Sequence, residues 1–556
     1  MKIANKKLES ILVGPGYISG SDFKLALKQS KTERKSLEQV LVEKNLIKDE
    51  QLGKLLAEEL GFLFIDLKKE RIDVKVLKII PELVAKNQKI IVFDKGKKGI
   101  KVAMHEPNYE MKKWLEKKTG EKAFVYYATL AGIKSCFRFY NKNIKEEFSE
   151  IIKSHVKESK KQKEVPIIKI VDLLIKYAYE NKASDIHIEP LAKTTQIRFR
   201  IDGVLHNVVS LPKNIHNLVV ARIKVMSKLR TDEHFSAQDG KFVSESGSEK
   251  FDVRVSVVPV TDGENIVMRI LSEKARRFDL QDLGIVKKDL KKVQQAIKRP
   301  YGMILATGPT GSGKTTTLYS LLKILNKPQI NICTIEDPVE YDISGIGQIQ
   351  VNAKTGLTFA KGLRSIVRQD PDIIMVGEIR DKETAGIAVN SAMTGHLVLS
   401  SMHANTAATN IPRLIDMGIE PFLAASCVNI IIAQRLVRKV CEKCRESKEY
   451  SKEDLLKLGL SENLISKYFK KNKKIRVYFG KGCRACVKTG YSGRIGIFEI
   501  LKMSDKIKEL AMKKVSADEI ENQAKKEGMT TMIQDGMDKV LNGITSIEEL
   551  IRVIRE

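Results

Sequence analysis

At 556 residues the chain is too long for one hydrophobic core, and at roughly 100–200 residues per domain it predicts about three to four of them. Its 98 basic against 69 acidic residues leave a formal net charge of +29, which admits nucleic acid, an anionic membrane surface or an acidic partner. The basic residues are scattered, often beside Glu, and form no long basic arm, which argues against nucleic acid.

The first stretch, MKIANKKLESILVGPG, lacks the apolar core and the small-residue cleavage site of a signal peptide. An internal repeat overlaps it: LESILVGPGYISGSDFKLAL (8–27) aligns without a gap with LEQVLVEKNLIKDEQLGKLL (37–56), at an offset of 29. Leu8 pairs with Leu37, Leu12 with Leu41, Ile18 with Ile47, Phe23 with Leu52 and Leu27 with Leu56. Each unit has helix-period apolar spacing broken by a turn, so the two are expected to pack as a small helical module. From 79 to about 140, the apolar runs KIIVF and IKVAM alternate with helical pattern, the sign of a small α/β unit. Residues 1–140 together are expected to make an N-terminal domain. The charged run 141–165, closed by Pro166, predicts an exposed helix and linker.

Next, a helix in IIKIVDLLIKYAYEN and β alternation in TQIRFRIDGVLHNVV and FDVRVSVVPV predict a separate α/β domain over 166–275. From 283 to about 435 the apolar strands MILATG, INICTIED, DIIMVGE and HLVLSSM alternate with helices, the pattern of a mainly parallel, doubly wound sheet. The longest apolar candidate, LAASCVNIIIA at 423–433, falls well short of the ~20 residues of a membrane span. A cytoplasmic location, with only peripheral membrane contact, is expected. The remainder holds two cysteine pairs, within about 438–490, and a helical tail over 504–556.

GPTGSGKTT, 308–316, fits G-x-x-x-x-G-K-[ST] between a strand and a helix. Glycines at 308, 311 and 313 let the loop of Gly308, Pro309, Thr310, Gly311, Ser312, Gly313 and Thr316 surround phosphates with its backbone N–H groups, proline alone contributing none. Lys314 reaches the outer phosphates, and Thr315 ligates Mg²⁺. Hydrolysis further needs carboxylates, and two clusters stand at strand ends: Glu336, Asp337 and Glu340 in CTIEDPVEY, and Glu378 in DIIMVGEIRD. Glu378 sits where a terminal Asp is usual, and its extra methylene lets it reach past the metal shell. It is expected to be the leading water-orienting base, with Glu336 and Glu340 holding Mg²⁺ through water or sharing the basic role. His396 and His403 flank the strand of TGHLVLSSMHANTAATN; spacing alone leaves them ordinary strand-edge residues.

GPTGSGKTTT, TIEDPVEY, RQDPDIIMVGEIRD and TGHLVLSSMHANTA, in this order, resemble the nucleotide-site motifs of the secretion ATPase superfamily, the assembly-type motors of type II secretion and type IV pili. ASDIHIEP, RFRIDGV, QDG, DVRVS and GYSGRIGIFEIL extend the resemblance over residues 165–556. It implies a multidomain α/β chain with a PAS-like domain over 166–275 and a RecA-like ATPase domain over 283–556. It further implies a homo-oligomeric ring, usually a hexamer, that binds ATP and Mg²⁺ under an inner-membrane platform protein and drives addition of pilin or pseudopilin subunits. In such motors histidines at the places of His396 and His403 belong to the site. Arginines of the preceding domain reach the nucleotide, which points to Arg200 and Arg222, with Arg364 and Arg368 as competitors.

Cys441, Cys444, Cys483 and Cys486 form two C-x-x-C pairs 38 residues apart, enough for a closed structural Zn²⁺ site; the family's assembly motors often carry such a module. Cys136, Cys333 and Cys427 stand alone and are expected to be buried. Residues 1–140 are similar to the family's N-terminal docking or regulatory domains, which in some members bind cyclic di-GMP. Lys7-Leu8-Glu9, Ser36-Leu37-Glu38 and Asn45 depart from that ligand's pattern, which favours docking over nucleotide sensing. A cyclic-dinucleotide regulator with a silent ATPase core and a DNA translocase are the alternative functions.

Overall fold

The computed structural model describes residues 5–555 except 34–35, 45, 71, 97, 138–166, 247–248, 272–279, 470–473 and 484–485. The helix and linker expected over 141–165 lie outside the described residues. The chain divides into two compact units, Met1–Val165 with Cys483–Ala485, and Pro166–Gly482 with Cys486–Glu556.

In the first unit the repeat is visible as two helix pairs, Asn5–Leu12 with Gly20–Glu33 and Leu37–Glu43 with Asp49–Glu59. Leu8, Leu12, Phe23, Leu37, Leu41, Leu52 and Leu56 share one buried cluster. Each pair is too small to bury its own apolar stripe, so each covers the other. Strands β1 (Leu63–Phe64), β2 (Ile90–Gly96), β3 (Gly99–Met104) and β4 (Ala123–Tyr127) then form a sheet in the order β1-β4-β3-β2.

The second unit holds two large sheets. The first comprises β5 (Ala183–Pro190), β6 (Thr194–Ile201), β7 (Val204–Pro212), β8 (Gln238–Ser246), β9 (Glu249–Val260) and β10 (Gly263–Leu271), all antiparallel in the order β7-β6-β5-β10-β9-β8. Alternation decides its faces: Ile186, Ile188, Ile197, Phe199, Val253, Val255, Ile266 and Met268 are buried, and helices Ile167–Glu180 and His216–Met226 pack on the sheet. The alternate positions carry charge, in one cross-strand row: Arg200 opposite Asp185, Asp185 opposite Arg269, Arg269 opposite Arg254, Arg254 opposite Lys241. The β6–β7 turn is Asp202-Gly203, both at positive φ (50° and 89°), as a twist-matched two-residue hairpin requires.

The second sheet comprises β11 (Gly302–Thr307), β12 (Ile332–Glu336), β13 (Gly347–Gln350), β14 (Ile373–Val376), β15 (Leu397–Met402) and β16 (Val428–Val440). An excursion containing the hairpin β17 (Arg445–Ser451) and β18 (Lys474–Gly480) precedes its last strand, β19 (Tyr491–Lys502). The order is β13-β12-β14-β15-β11-β16-β19, parallel except for β19. Every residue of β11, β12, β14 and β15 is buried, because helices cover both faces. Leu290, Val293, Leu318, Tyr319 and Leu322 pack one side. Leu363, Ala388, Ile411 and Ala424 pack the other, together with the four tail helices from Asp505 to Arg555. Parallel strands share a direction, so the carboxyl ends of β11, β12, β14 and β15 meet along one edge.

Candidate active site

The loop after β11 is shaped by three glycines with positive φ: Gly308 (144°), Gly311 (79°) and Gly313 (91°). At Gly308 a side chain is excluded twice over, since an added Cβ would stand 2.3 Å from the Gln434 carbonyl oxygen. Helix Lys314–Leu325 follows at once and points its unpaired N–H groups and partial positive charge into the loop. Lys314 Nζ donates to Gly308 O (2.8 Å) and Pro309 O (3.1 Å). Burial holds its pKa below the ordinary lysine value, against an opposing pull from the charge of Glu378. Pro309, Thr310, Gly311 and Thr315 are exposed, Thr316 half-buried. The buried Ser312 Oγ has no partner among the described residues. A cradle closed to side chains, with a lysine beside an exposed Thr315 hydroxyl, fits a Mg²⁺–nucleotide.

Two groups missed in the sequence support this loop. Gln434 on β16, 2% exposed, donates from Nε2 to Ser312 O (2.8 Å) and accepts from Thr317 Oγ1 (2.7 Å). Thr307 Oγ1 accepts from Ala404 N (3.0 Å) and lies 3.1 Å from Met402 O, tying the start of the loop to the segment that leaves β15. A polar residue inside the apolar NIIIAQRL was the only available signal for Gln434.

The three carboxylates at the strand ends stand in different surroundings. Glu378, just past β14, lies 2.5 Å from an Arg380 nitrogen and 3.0 Å from His403 Nε2, and its charge reaches Lys314. Glu336 is 3% exposed, and protein donors occupy both its oxygens: the Tyr319 hydroxyl on Oε2, Thr334 Oγ1 (2.6 Å) and Gln348 Nε2 (3.1 Å) on Oε1. Burial first, then the bond to Glu336, pushes the Tyr319 hydroxyl pKa well above its ordinary value. Glu340 is paired with Arg254 of β9 (3.2 Å).

The two histidines separate. His403 leaves the carboxyl end of β15 beside Glu378, whereas His396 precedes the strand and lies 2.9 Å from Ser391 O through Nδ1. Six strand residues at ~3.3 Å each put roughly 20 Å between them, so His396 stands at the opposite edge of the sheet from the phosphate loop. Arg200 is engaged by Asp185 (3.5 Å) and Gly203 O (3.0 Å). Arg222 is half-buried, and its buried Nε meets no partner among the described residues. Arg364 pairs with Glu383 (2.6 Å), and Arg368 donates to Ser365 Oγ (3.4 Å). None of these arginines bonds a phosphate-loop residue among the described contacts.

The four paired cysteines converge, their sulfurs all lying within 4.8 Å of one another. Cys444 Sγ and Cys486 Sγ are 3.8 Å apart, matching the edge of about 3.8 Å of a tetrahedron with Zn–S bonds of ~2.3 Å. Gly490 N donates to Cys486 Sγ (3.2 Å), the kind of outer bond that steadies a thiolate ligand. The site fits zinc. Cys136, Cys333 and Cys427 are buried singly. No described helix is long and apolar enough to cross a membrane.

Residues 160–552 match the family of type II/IV secretion system proteins. The chain is 36% identical over 562 aligned residues, covering 98% of both chains, to the type IV pilus assembly ATPase PilB of Myxococcus xanthus. It is 48% identical to the type II secretion system ATPase E of Vibrio cholerae over 71% of this chain and 76% of that one. The crystal structure of the ATPase DotB of Legionella pneumophila shares the fold, with a TM-score of 0.51 at 20% identity over 68% of this chain and 94% of that chain. A phosphate loop, a strand-end carboxylate beside it at Glu378 and this kinship agree: the chain belongs to the type II/IV secretion system protein family and is an ATP-hydrolysing secretion or pilus-assembly ATPase.

Proposed function

We propose that the chain is a cytoplasmic, hexameric motor that couples ATP hydrolysis to assembly of a type IV pilus beneath an inner-membrane platform protein. The observation that carries this reading is the end-to-end match to a pilus assembly ATPase, which includes the N-terminal unit as well as the catalytic region. A second reading, assembly of a type II secretion pseudopilus, is favoured by the higher identity to the secretion ATPase over the 71% of this chain that it covers. In either case a PAS-like domain would lead into a RecA-like ATPase domain. The Cys₄ group would hold a structural zinc.

In the proposed chemistry, Lys314 would leave its loop carbonyls to take the outer phosphates, Thr315 would hold Mg²⁺, which would neutralise phosphate charge, and Glu378 would orient the attacking water. His403 steadies the Glu378 carboxylate through the 3.0 Å contact. Glu336, enclosed by its donors, acts through Tyr319 by fixing the exit of β12 against the phosphate-loop helix. Arg200 and Arg222, both on the six-stranded-sheet part, supply charge to a nucleotide only when the ring brings them there. Glu378→Gln should lower kcat by about 10²–10⁴-fold with nucleotide binding retained.

The decisive experiment complements a strain lacking this gene with the wild-type chain or with Lys314→Ala, and counts surface filaments by electron microscopy alongside secreted protein. Filaments restored only by the wild type support the pilus reading. Restored secretion without filaments selects the pseudopilus. Full restoration of both by Lys314→Ala refutes a motor powered at this site.

A further inference from the structure

The chain leaving β12 is gripped from two sides. From the phosphate-loop helix, the Tyr319 hydroxyl accepts from Glu340 N (3.3 Å) while donating to Glu336. From β9 of the other sheet, Arg254 donates through one terminal nitrogen to Glu340 Oε2 (3.2 Å) and through the other to Val339 O (2.7 Å). A planar guanidinium fork spans a carboxylate and a neighbouring carbonyl through two nitrogens at fixed spacing; a lysine has to reach both acceptors from one atom on a flexible stem and holds their spacing less firmly.

Two surrounding features give the grip its direction. Arg254 stands between Arg269 and Lys241 in the cross-strand row. The row's buried acid, Asp185, takes Arg269 (3.0 Å) and Arg200 (3.5 Å). Arg254 is thus flanked by like charge and finds its carboxylate off the sheet, in Glu340. On the other side, Thr315 precedes Tyr319 by four residues and shares its helix face. The segment held by Arg254 therefore lies along the face whose first turn presents the Mg²⁺-ligating hydroxyl.

We infer that Arg254 is a positioning residue for ATP hydrolysis: by holding Val339 O and the Glu340 carboxylate, it sets where the β12 exit stands against the nucleotide-binding turn. Turnover then depends on the placement of the six-stranded sheet. The inference rests on the reading that hydrolysis occurs at the Lys314 loop.

The test is steady-state ATPase of the full-length protein, with thermal unfolding of the same preparations, for wild type, Lys314→Ala, Arg254→Ala, Arg254→Lys, Glu340→Ala and the double variant Arg254→Ala/Glu340→Ala. Arg254→Ala should lower kcat at least tenfold with KM for ATP and the unfolding midpoint little changed, and Arg254→Lys should recover less than half of the wild-type rate. In the Glu340→Ala background the same arginine change should cost less than threefold, because the side chain it places is gone. A kcat for Arg254→Ala within twofold of wild type, or an equal tenfold loss with and without Glu340, overturns the assignment. An inactive wild type, or Lys314→Ala as active as wild type, would remove the underlying site reading and the assignment with it.

Discussion

Replacing Gln434 by alanine should weaken nucleotide binding although its amide is committed to protein groups, Ser312 O and Thr317 Oγ1. Its amide makes two buried hydrogen bonds, 2.8 Å to Ser312 O and 2.7 Å from Thr317 Oγ1, and at about 1 kcal/mol each they contribute about 2 kcal/mol to holding the loop in shape. Without them the loop must be ordered by the nucleotide itself, so that energy is drawn from binding. At 1.4 kcal/mol per factor of ten, the upper limit is about a 30-fold rise in Kd. Gln434→Glu keeps the acceptor for Thr317 but turns a buried carboxylate oxygen toward the Ser312 carbonyl, so it should weaken binding at least as much as Gln434→Ala. Calorimetric titration with Mg–ADP, which avoids turnover, measures both variants. A folded Gln434→Ala chain whose Kd stays within threefold of wild type would refute the reasoning and leave the loop shaped by its glycines alone.

Two further outcomes are expected. Purified protein should carry about one zinc per chain, and Cys486→Ser or a strong chelator should remove it and lower the thermal unfolding midpoint; metal analysis that finds no zinc refutes the site. Glu549 is fully buried between Arg438 and Arg552. Burial pushes its pKa up, but hydrogen bonds from Arg552 and Arg438 outweigh that and hold it below the ordinary 4.5. The unfolded chain therefore binds more protons between the two values, so this stabilisation is complete above about pH 4.5 and is lost as pH falls through the lowered value. Glu549→Gln should flatten that acid-side loss and, by leaving the half-buried Arg438 without its counter-charge, destabilise the neutral chain by about 1.5–3 kcal/mol. Denaturation midpoints measured at several pH values check both.

The sheet that carries the phosphate loop was legible because its strands are continuous apolar runs and its motifs sit at their ends: MILAT, ICTIE, IIMV and LVLSSM fall on β11, β12, β14 and β15. The tandem repeat was legible for a similar reason, since its apolar positions recur without a gap. What sequence could not provide was which edge of the sheet a flanking residue reaches. His396 and His403 look equivalent around one strand, yet strand direction sends only His403 to Glu378. Nor does an acidic residue at a strand end disclose its donors. Glu336 is enclosed because Tyr319, seventeen positions earlier, and Gln348, twelve later, close on it, and no local pattern encodes that meeting. Gln434 and Arg254 were invisible for the same reason, their partners lying 122 and 86 positions away.

The turn Asp202-Gly203 adds a second tie between the two sheets, for Asp202 accepts from Gly493 N near the start of β19 (2.8 Å). One tie therefore stands at the β12 exit, through Arg254, and the other at the far antiparallel strand, since β12 and β19 are separated by β14, β15, β11 and β16. Among the described hydrogen bonds these are the two pins, and two pins define a line but leave the angle about it free. If these pins hold, the softest displacement of the six-stranded sheet is a swing about that line, like a gate on two hinges, and the pin at Arg254 sits within reach of the chain that nucleotide chemistry would disturb.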